Sequence, residues 1–266
     1  MKNQHSIKIL FCFLSSVFCL LFMSGCITTE YNVGTNEQDI YFYSTEKEVT
    51  MGRNISKQIN EKFKISNNPY DIERVERISS RIVEVLDRQE ISYYFYIIEE
   101  DDKGKGQINA FALPGGYIYI FKDLLDLLSD DELAFVLAHE AGHIVCRHSI
   151  KRLQAAMGYN LALIASAGVA KDPRFTQGLS FALAQIIMGY SRADELNADS
   201  LAVKYCKAAG FDPVAGFQAL EKLYSENKKE IRPLSYFKTH PYIPQRVRQV
   251  KESLYLPLDV DDYINY

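Results

Sequence analysis

The sequence predicts an α+β domain, mostly helical with one small sheet. Three observations predict this. Apolar residues recur at helical spacing over most of the chain, and helix-boundary residues (capping side chains, early acids, Gly and Pro at the ends) bracket those stretches. Only three short runs, all between 92 and 121, are rich enough in Tyr, Phe and Ile to read as strands. In order, Thr45 and Glu48 offer a capping box, and Val49, Ile55, Ile59 and Phe63 continue as one helical face. A second helix starts near Pro69, with Ile72, Val75, Ile78, Ile82, Val85 and Leu86 on one side. Ser92 to Glu99 is a strand, Asp101 to Gly106 a charged turn, and Ile108 to Leu113 and Tyr117 to Phe121 are two strands broken by Pro114-Gly115-Gly116. Asp130, Asp131 and Glu132 put acids at a helix N-terminus, where the dipole favours them; that helix runs to about His148. Leu153 to Ala170 and Phe175 to Met188 read as an apolar helical hairpin packed on the domain or covering its cleft, with membrane contact as the alternative. Ser191 to Ala208 is a helix stopped by Gly210, Pro213 opens another, and a last one covers Pro244 to Leu254.

Composition narrows the classes. The 266 residues are 47% hydrophobic and 24% charged, ordinary for a globular protein. A chain this long buries a core without disulfide staples. The formal charge is −4, and it becomes −6 without residues 1–25, which hold Lys2, Lys8 and no acid. A nucleic-acid partner would want a basic face, so none is expected. Lys2 and Lys8 precede an apolar run, Ile9 to Met23, in the layout of a secretory signal. The run ends Met23-Ser24-Gly25-Cys26, which resembles a bacterial lipobox with Met where Leu is commoner. That resemblance implies cleavage before Cys26 and its lipidation, with several acyl chains giving durable anchoring. The expected organisation is a signal peptide over 1–25, lipidated Cys26 with a polar tether over 26–39, a catalytic domain over 40–258 and a tail over 259–266. Only Cys146 and Cys206 remain in the body, on helices whose offset keeps them too far apart to pair.

His139-Glu140-Ala141-Gly142-His143 is HExxH. Two histidines one helical turn apart reach a single ion, and neutral imidazoles suit zinc. Glu140 stands where a general base for water is needed. The flanking residues are apolar, so the histidines are buried and need partners. No His follows at the spacing that would complete a longer motif on the same helix. His148, five residues past His143 and about 140° round an uninterrupted helix, points away and reads as a capping or packing residue. The third ligand is expected in Tyr190 to Asp199: Glu195 and Asp199 share a face one turn apart, one for the metal and one for the free N–H of a ligand histidine. Asp194 is out of phase with them. Arg192 and Arg246 read equally as carboxylate partners or surface residues.

HExxH, the downstream Glu195-x-x-x-Asp199, the stretch from Asn109 to Gly116 and Thr239-His240-Pro241 together resemble the gluzincin metallopeptidases related to HtpX and the CAAX prenyl endopeptidases. The resemblance runs from Glu46 to about Leu254. It implies a zincin-like domain with one zinc held by His139, His143 and Glu195, Glu140 as base and Asp199 behind a ligand. It further implies an edge strand at Asn109 and Ala110 that pairs with substrate backbone, and His240 beside the metal, as an oxyanion donor or as an inhibitory fourth ligand. Lacking convincing spanning helices, the chain looks like the lipoprotein branch. The expectation is an outer-membrane lipoprotein facing the periplasm, a zinc endopeptidase of extended or misfolded envelope proteins, with outer-membrane assembly machinery among its partners. The rival is a zinc-binding, chaperone-like module with little proteolysis.

Overall fold

A computed structural model describes residues 28–100, 107–156, 189–229 and 235–260. The charged turn at Asp101–Gly106, Cys26 with the signal segment, and nearly all of the apolar hairpin between 153 and 188 lie outside the described residues.

The strands are β1 (Thr28–Asn32), β2 (Glu37–Tyr41), β3 (Lys64–Ile65), β4 (Tyr94–Glu100), β5 (Ala110–Leu113) and β6 (Tyr117–Phe121). The helices are α1 (Thr45–Lys62), α2 (Pro69–Val83), α3 (Lys122–Leu127), α4 (Asp130–Val145), α5 (Arg192–Ala208), α6 (Ala215–Lys229), α7 (Ser235–Thr239) and α8 (Ile243–Ser253). The α+β expectation therefore stands. Strands β3 to β6 form one sheet in the order β3-β4-β6-β5, parallel only between β4 and β6. Alternation at period two sends its side chains to two cores. Ile97, Ala110, Ala112, Ile118 and Ile120 meet the helices around α4, while Ile98, Phe111, Leu113, Tyr117 and Tyr119 meet Ile55 and Ile59 of α1. Strand β5 is left at the edge of the sheet, packed against helix α4.

Two local expectations give way to tertiary contacts. Residues 28–41, read as mostly tether, form an antiparallel hairpin of β1 and β2. Glu48 does not cap α1: Ser44 does, accepting from Lys47 N. The Glu48 carboxylate instead turns inward to Arg88 (2.9 Å) and Arg147 (2.8 Å), an ion cluster that only a folded chain assembles.

Candidate metal centre

Helix α4 starts with a capping box, Ser129 to Glu132 N and Glu132 back to Ser129 N, with three acids in its first turn. Helix α5 starts the same way with Ser191 and Asp194. The helices pack antiparallel: Asp212 N, just past α5, bonds Asp131 at the start of α4, while Gly142 faces Ala198. A Cβ on Gly142 would come within 3.2 Å of the Ala198 backbone, so glycine inside the HExxH motif is what lets α5 come this close. Close approach brings Glu195 and Asp199 over His139 and His143.

His139, His143, Glu195 and His240 converge, each offering one atom within 4.8 Å of the others. The closest separations are 3.0 Å between the Nε2 atoms of His139 and His143, and 3.2 Å between His240 Nδ1 and Glu195 Oε1. His139 Nε2 lies 3.3 Å from His240 Nδ1 and 3.5 Å from Glu195 Oε2. Tetrahedral zinc with bonds of about 2.0–2.2 Å places its donor atoms roughly 3.3–3.6 Å apart. Three ring nitrogens and a carboxylate facing one point cannot all be satisfied by sharing protons, so the donor set fits a cation of this kind. All four residues are buried.

The outer partners fix the rings. Asp199 Oδ1 is 2.8 Å from His139 Nδ1, which leaves Nε2 of that ring free for a metal. Asp199 is itself held by both Nε and Nη2 of Arg246 at 2.8 Å, and Arg246 Nη1 lies 2.8 Å from Glu195 Oε2. Arg246 is thus fully buried, not a surface arginine. Burial pushes both carboxylates up, but Arg246 together with the facing histidines outweighs it, holding Glu195 well below, and Asp199 below, their ordinary values. Burial also holds His143 well below its usual value, so it is neutral.

His148 does not point away. Helix α4 ends at Val145, and Arg147 takes the left-handed conformation (φ 54°), which turns the chain back. His148 Nδ1 lies 2.8 Å from His143 Nδ1, and its Nε2 lies 3.4 Å from Asp194 Oδ1. Burial pushes His148 down to about 4 against the pull of Asp194, so the two neutral rings share one proton. With His143 donating from Nδ1, the chain His143–His148–Asp194 does for the second histidine what Asp199 does for the first. Tyr190 stacks on His143 at 3.8 Å. Sequence spacing missed this because it assumed an uninterrupted helix.

Glu140 lies beside the cluster, fully buried, with both carboxylate oxygens lacking a hydrogen-bond partner. Burial raises its pKa. The His240 ring lies against it, with Nε2 3.2 Å from Oε1. That same Nε2 is 3.3 Å from Ala110 O on β5. The backbone groups of alternate β5 residues point to the open edge. Asn109 O is used within the sheet, accepting from Phe121 N, and its side chain accepts from Thr239 Oγ1. Ala110 faces outward, and there His240 covers it, with Tyr236 N on Ile108 O beside it.

A mostly helical α+β domain with HExxH on one helix, a carboxylate on the next and a strand edge beside them defines a metallopeptidase. Residues 69–254 match the model described as Peptidase family M48, and the chain belongs to that family. Among its relatives, the mitochondrial metalloendopeptidase OMA1 of Schizosaccharomyces pombe is 28% identical over 68% of this chain and 52% of its own length. The beta-barrel assembly-enhancing protease of Yersinia pestis is 27% identical over 78% of this chain and 44% of its own. Metalloprotease LoiP of Escherichia coli (strain K12) is 24% identical over 87% and 92%. The chain thus spans about half the length of the first two and nearly all of the third.

Proposed function

We propose that the protein is a zinc endopeptidase, anchored to the bacterial envelope by lipid on Cys26 and facing the periplasm at the outer membrane, that cleaves extended or misfolded segments of envelope proteins. The observation that carries the catalytic part is Glu140, a buried carboxylate with no hydrogen-bond partner, beside four convergent metal-binding atoms. His139, His143 and Glu195 would hold the zinc, with Asp199 and His148 orienting the rings. Bound there, zinc supplies Lewis acidity that polarises a peptide carbonyl and lowers the pKa of water to about 7. Glu140 takes one proton from the attacking water and gives it to the leaving amine nitrogen as the C–N bond breaks; a raised pKa suits both halves of that task. Ala110 presents outward-facing backbone to an extended substrate, which joins β5 as an added strand. His240 sits as a fourth donor at rest. Its departure frees both that position and Ala110 O, and its Nε2–H is then available to a developing oxyanion. The names of the beta-barrel assembly-enhancing relatives support outer-membrane proteins as substrates and their assembly machinery as a partner.

The full burial of the cluster favours a second reading, a zinc-bound module that holds extended chains without cutting them. Incubation of the zinc-loaded full chain with unfolded casein separates the two. Chelator-sensitive cleavage by wild type supports the peptidase; in His240→Ala, faster cleavage marks a resting donor removed, and slower cleavage with zinc retained marks a lost oxyanion donor. Intact casein with both wild type and His240→Ala would leave the non-cleaving module.

A further inference from the structure

The β1–β2 hairpin has two unlike faces. One face is bolted to the end of the catalytic helix. Asn32 Nδ2 donates to Cys146 O (3.0 Å), Arg147 Nη1 pairs with Glu30 (2.7 Å), and the Arg147 guanidinium stacks 3.8 Å above the Tyr41 ring. At the hairpin tip a Cβ on Gly34 would lie 2.5 Å from Cys146 Sγ, so the turn presses directly on that helix end. The register pairs Thr29 with Ile40 and Tyr31 with Gln38, so the odd residues of β1 share the outer face with the even residues of β2. That outer face carries Tyr31 (55% exposed), Ile40 (58%) and Phe42 (50%) with the polar Thr29 and Gln38 between them, and Tyr31 and Val33 at its tip end also line a cleft toward Asn197 and Lys204 of α5. An aromatic and aliphatic face of this kind is costly in water and suited to the headgroup–acyl boundary of a bilayer.

Its place in the chain selects the occupant. Cys26 stands two residues before Thr28, and two extended residues reach at most about 7 Å. Acyl chains on Cys26 would therefore hold β1 at the membrane surface with no slack for a tether. Resting on the lipid-anchor reading above, we infer that the outer face of the β1–β2 hairpin seats in the bilayer interface and fixes the orientation of the domain. Since its inner face grips Cys146 and Arg147, the catalytic helix ends on the order of 10 Å above that boundary, one packing layer away. His143 lies three residues, about 4.5 Å along the helix, further back. The enzyme would then reach segments that emerge from the membrane rather than proteins free in the periplasm.

A test uses the lipidated full chain with Ile40→Cys, or Phe42→Cys as a second position on the same face, carrying a solvent-sensitive fluorophore. Cys146 and Cys206 are buried and leave the new thiol as the reactive one. Tyr70→Cys is the control: Tyr70 is 81% exposed on α2, whose Arg74 pairs with Asp130 at the opposite end of α4. In phosphatidylethanolamine–phosphatidylglycerol vesicles, lipids brominated near the headgroup should quench positions 40 and 42 at least twofold and leave position 70 unchanged. Water-like emission at 40 and 42 overturns the inference. So does a blue-shifted emission without bromine quenching, which would mean that residues 157–188 or a second copy cover the face. Mass spectrometry of the N-terminal peptide reads the anchor separately. An unacylated Cys26 overturns the anchor reading and the seating with it, whereas an acylated chain with water-like probes overturns the seating alone.

Discussion

Arg246→Met is the most informative perturbation of the centre. The guanidinium makes three contacts of 2.8 Å, two to Asp199 and one to Glu195, and all three residues are fully buried. Met keeps most of the side-chain length, so packing changes little, but two carboxylates lose their shared counter-charge. Removing one partner of a buried ion pair costs about 3–5 kcal/mol. For a domain of this size that corresponds to a fall in Tm of about 6–20 °C, at 2–4 °C per kcal/mol. The fall should be largest in chelator. With zinc present Glu195 has a second cation beside it, and the difference from wild type should shrink. Arg246→Lys keeps the charge without the bidentate geometry and should fall between. The pH dependence has a definite sign. Arg246, with the facing histidines, holds both folded carboxylates below their unfolded values, so its stabilisation is present in full above about pH 5 and is lost as pH falls through the depressed native values. Thermal denaturation of apo and zinc-loaded protein at pH 7 reads all of this. A Tm loss under about 3 °C in chelator, or the same loss with and without zinc, would refute the reasoning.

Glu140→Gln should retain zinc and lose about two to four decades of turnover, with Tm in chelator changed by no more than the loss of its contact to His240, since its oxygens otherwise lack hydrogen-bond partners. A clear drop in Tm would mean that Glu140 is structurally paired. His148→Ala should weaken zinc affinity about 10- to 100-fold, and His148→Gln, which can still accept from His143 Nδ1, should recover part of it; competition with a fluorescent chelator measures both. Unchanged affinity in the alanine variant would return His148 to a packing role. Cys146 and Cys206 are unpaired, and burial pushes both thiols up to about 12. Native protein at pH 8 should therefore resist alkylation, and denatured, unreduced protein should show two free thiols per mature chain. Labelling that needs reduction first would put a disulfide where the antiparallel packing of α4 and α5 forbids one.

Much of what depends on residues a few positions apart was legible in the sequence. The turn spacing of His139 and His143, the shared face of Glu195 and Asp199, the acids opening α4 and the alternation of the sheet strands are local regularities, and the structure keeps each of them. Resemblance to a family added His240, which lies 101 residues from His139 and which no spacing rule could place beside it. Tertiary structure alone decided the rest. Arg246 reads in sequence as either a carboxylate partner or a surface arginine, and it is the packing of α8 behind α5 that removes it from water and decides between them. Glu48 satisfies a capping pattern in sequence, yet Arg88 and Arg147 offer it a stronger partner than a helix N-terminus does. His148 changes sides because one residue, Arg147, adopts a left-handed backbone held by Glu30, Tyr41 and Glu48. The polar stretch after Cys26 becomes a docked hairpin for the same reason. Helical and strand periodicity follow from backbone geometry over a few residues, whereas the partner of a buried charge is chosen by which distant elements exclude water around it.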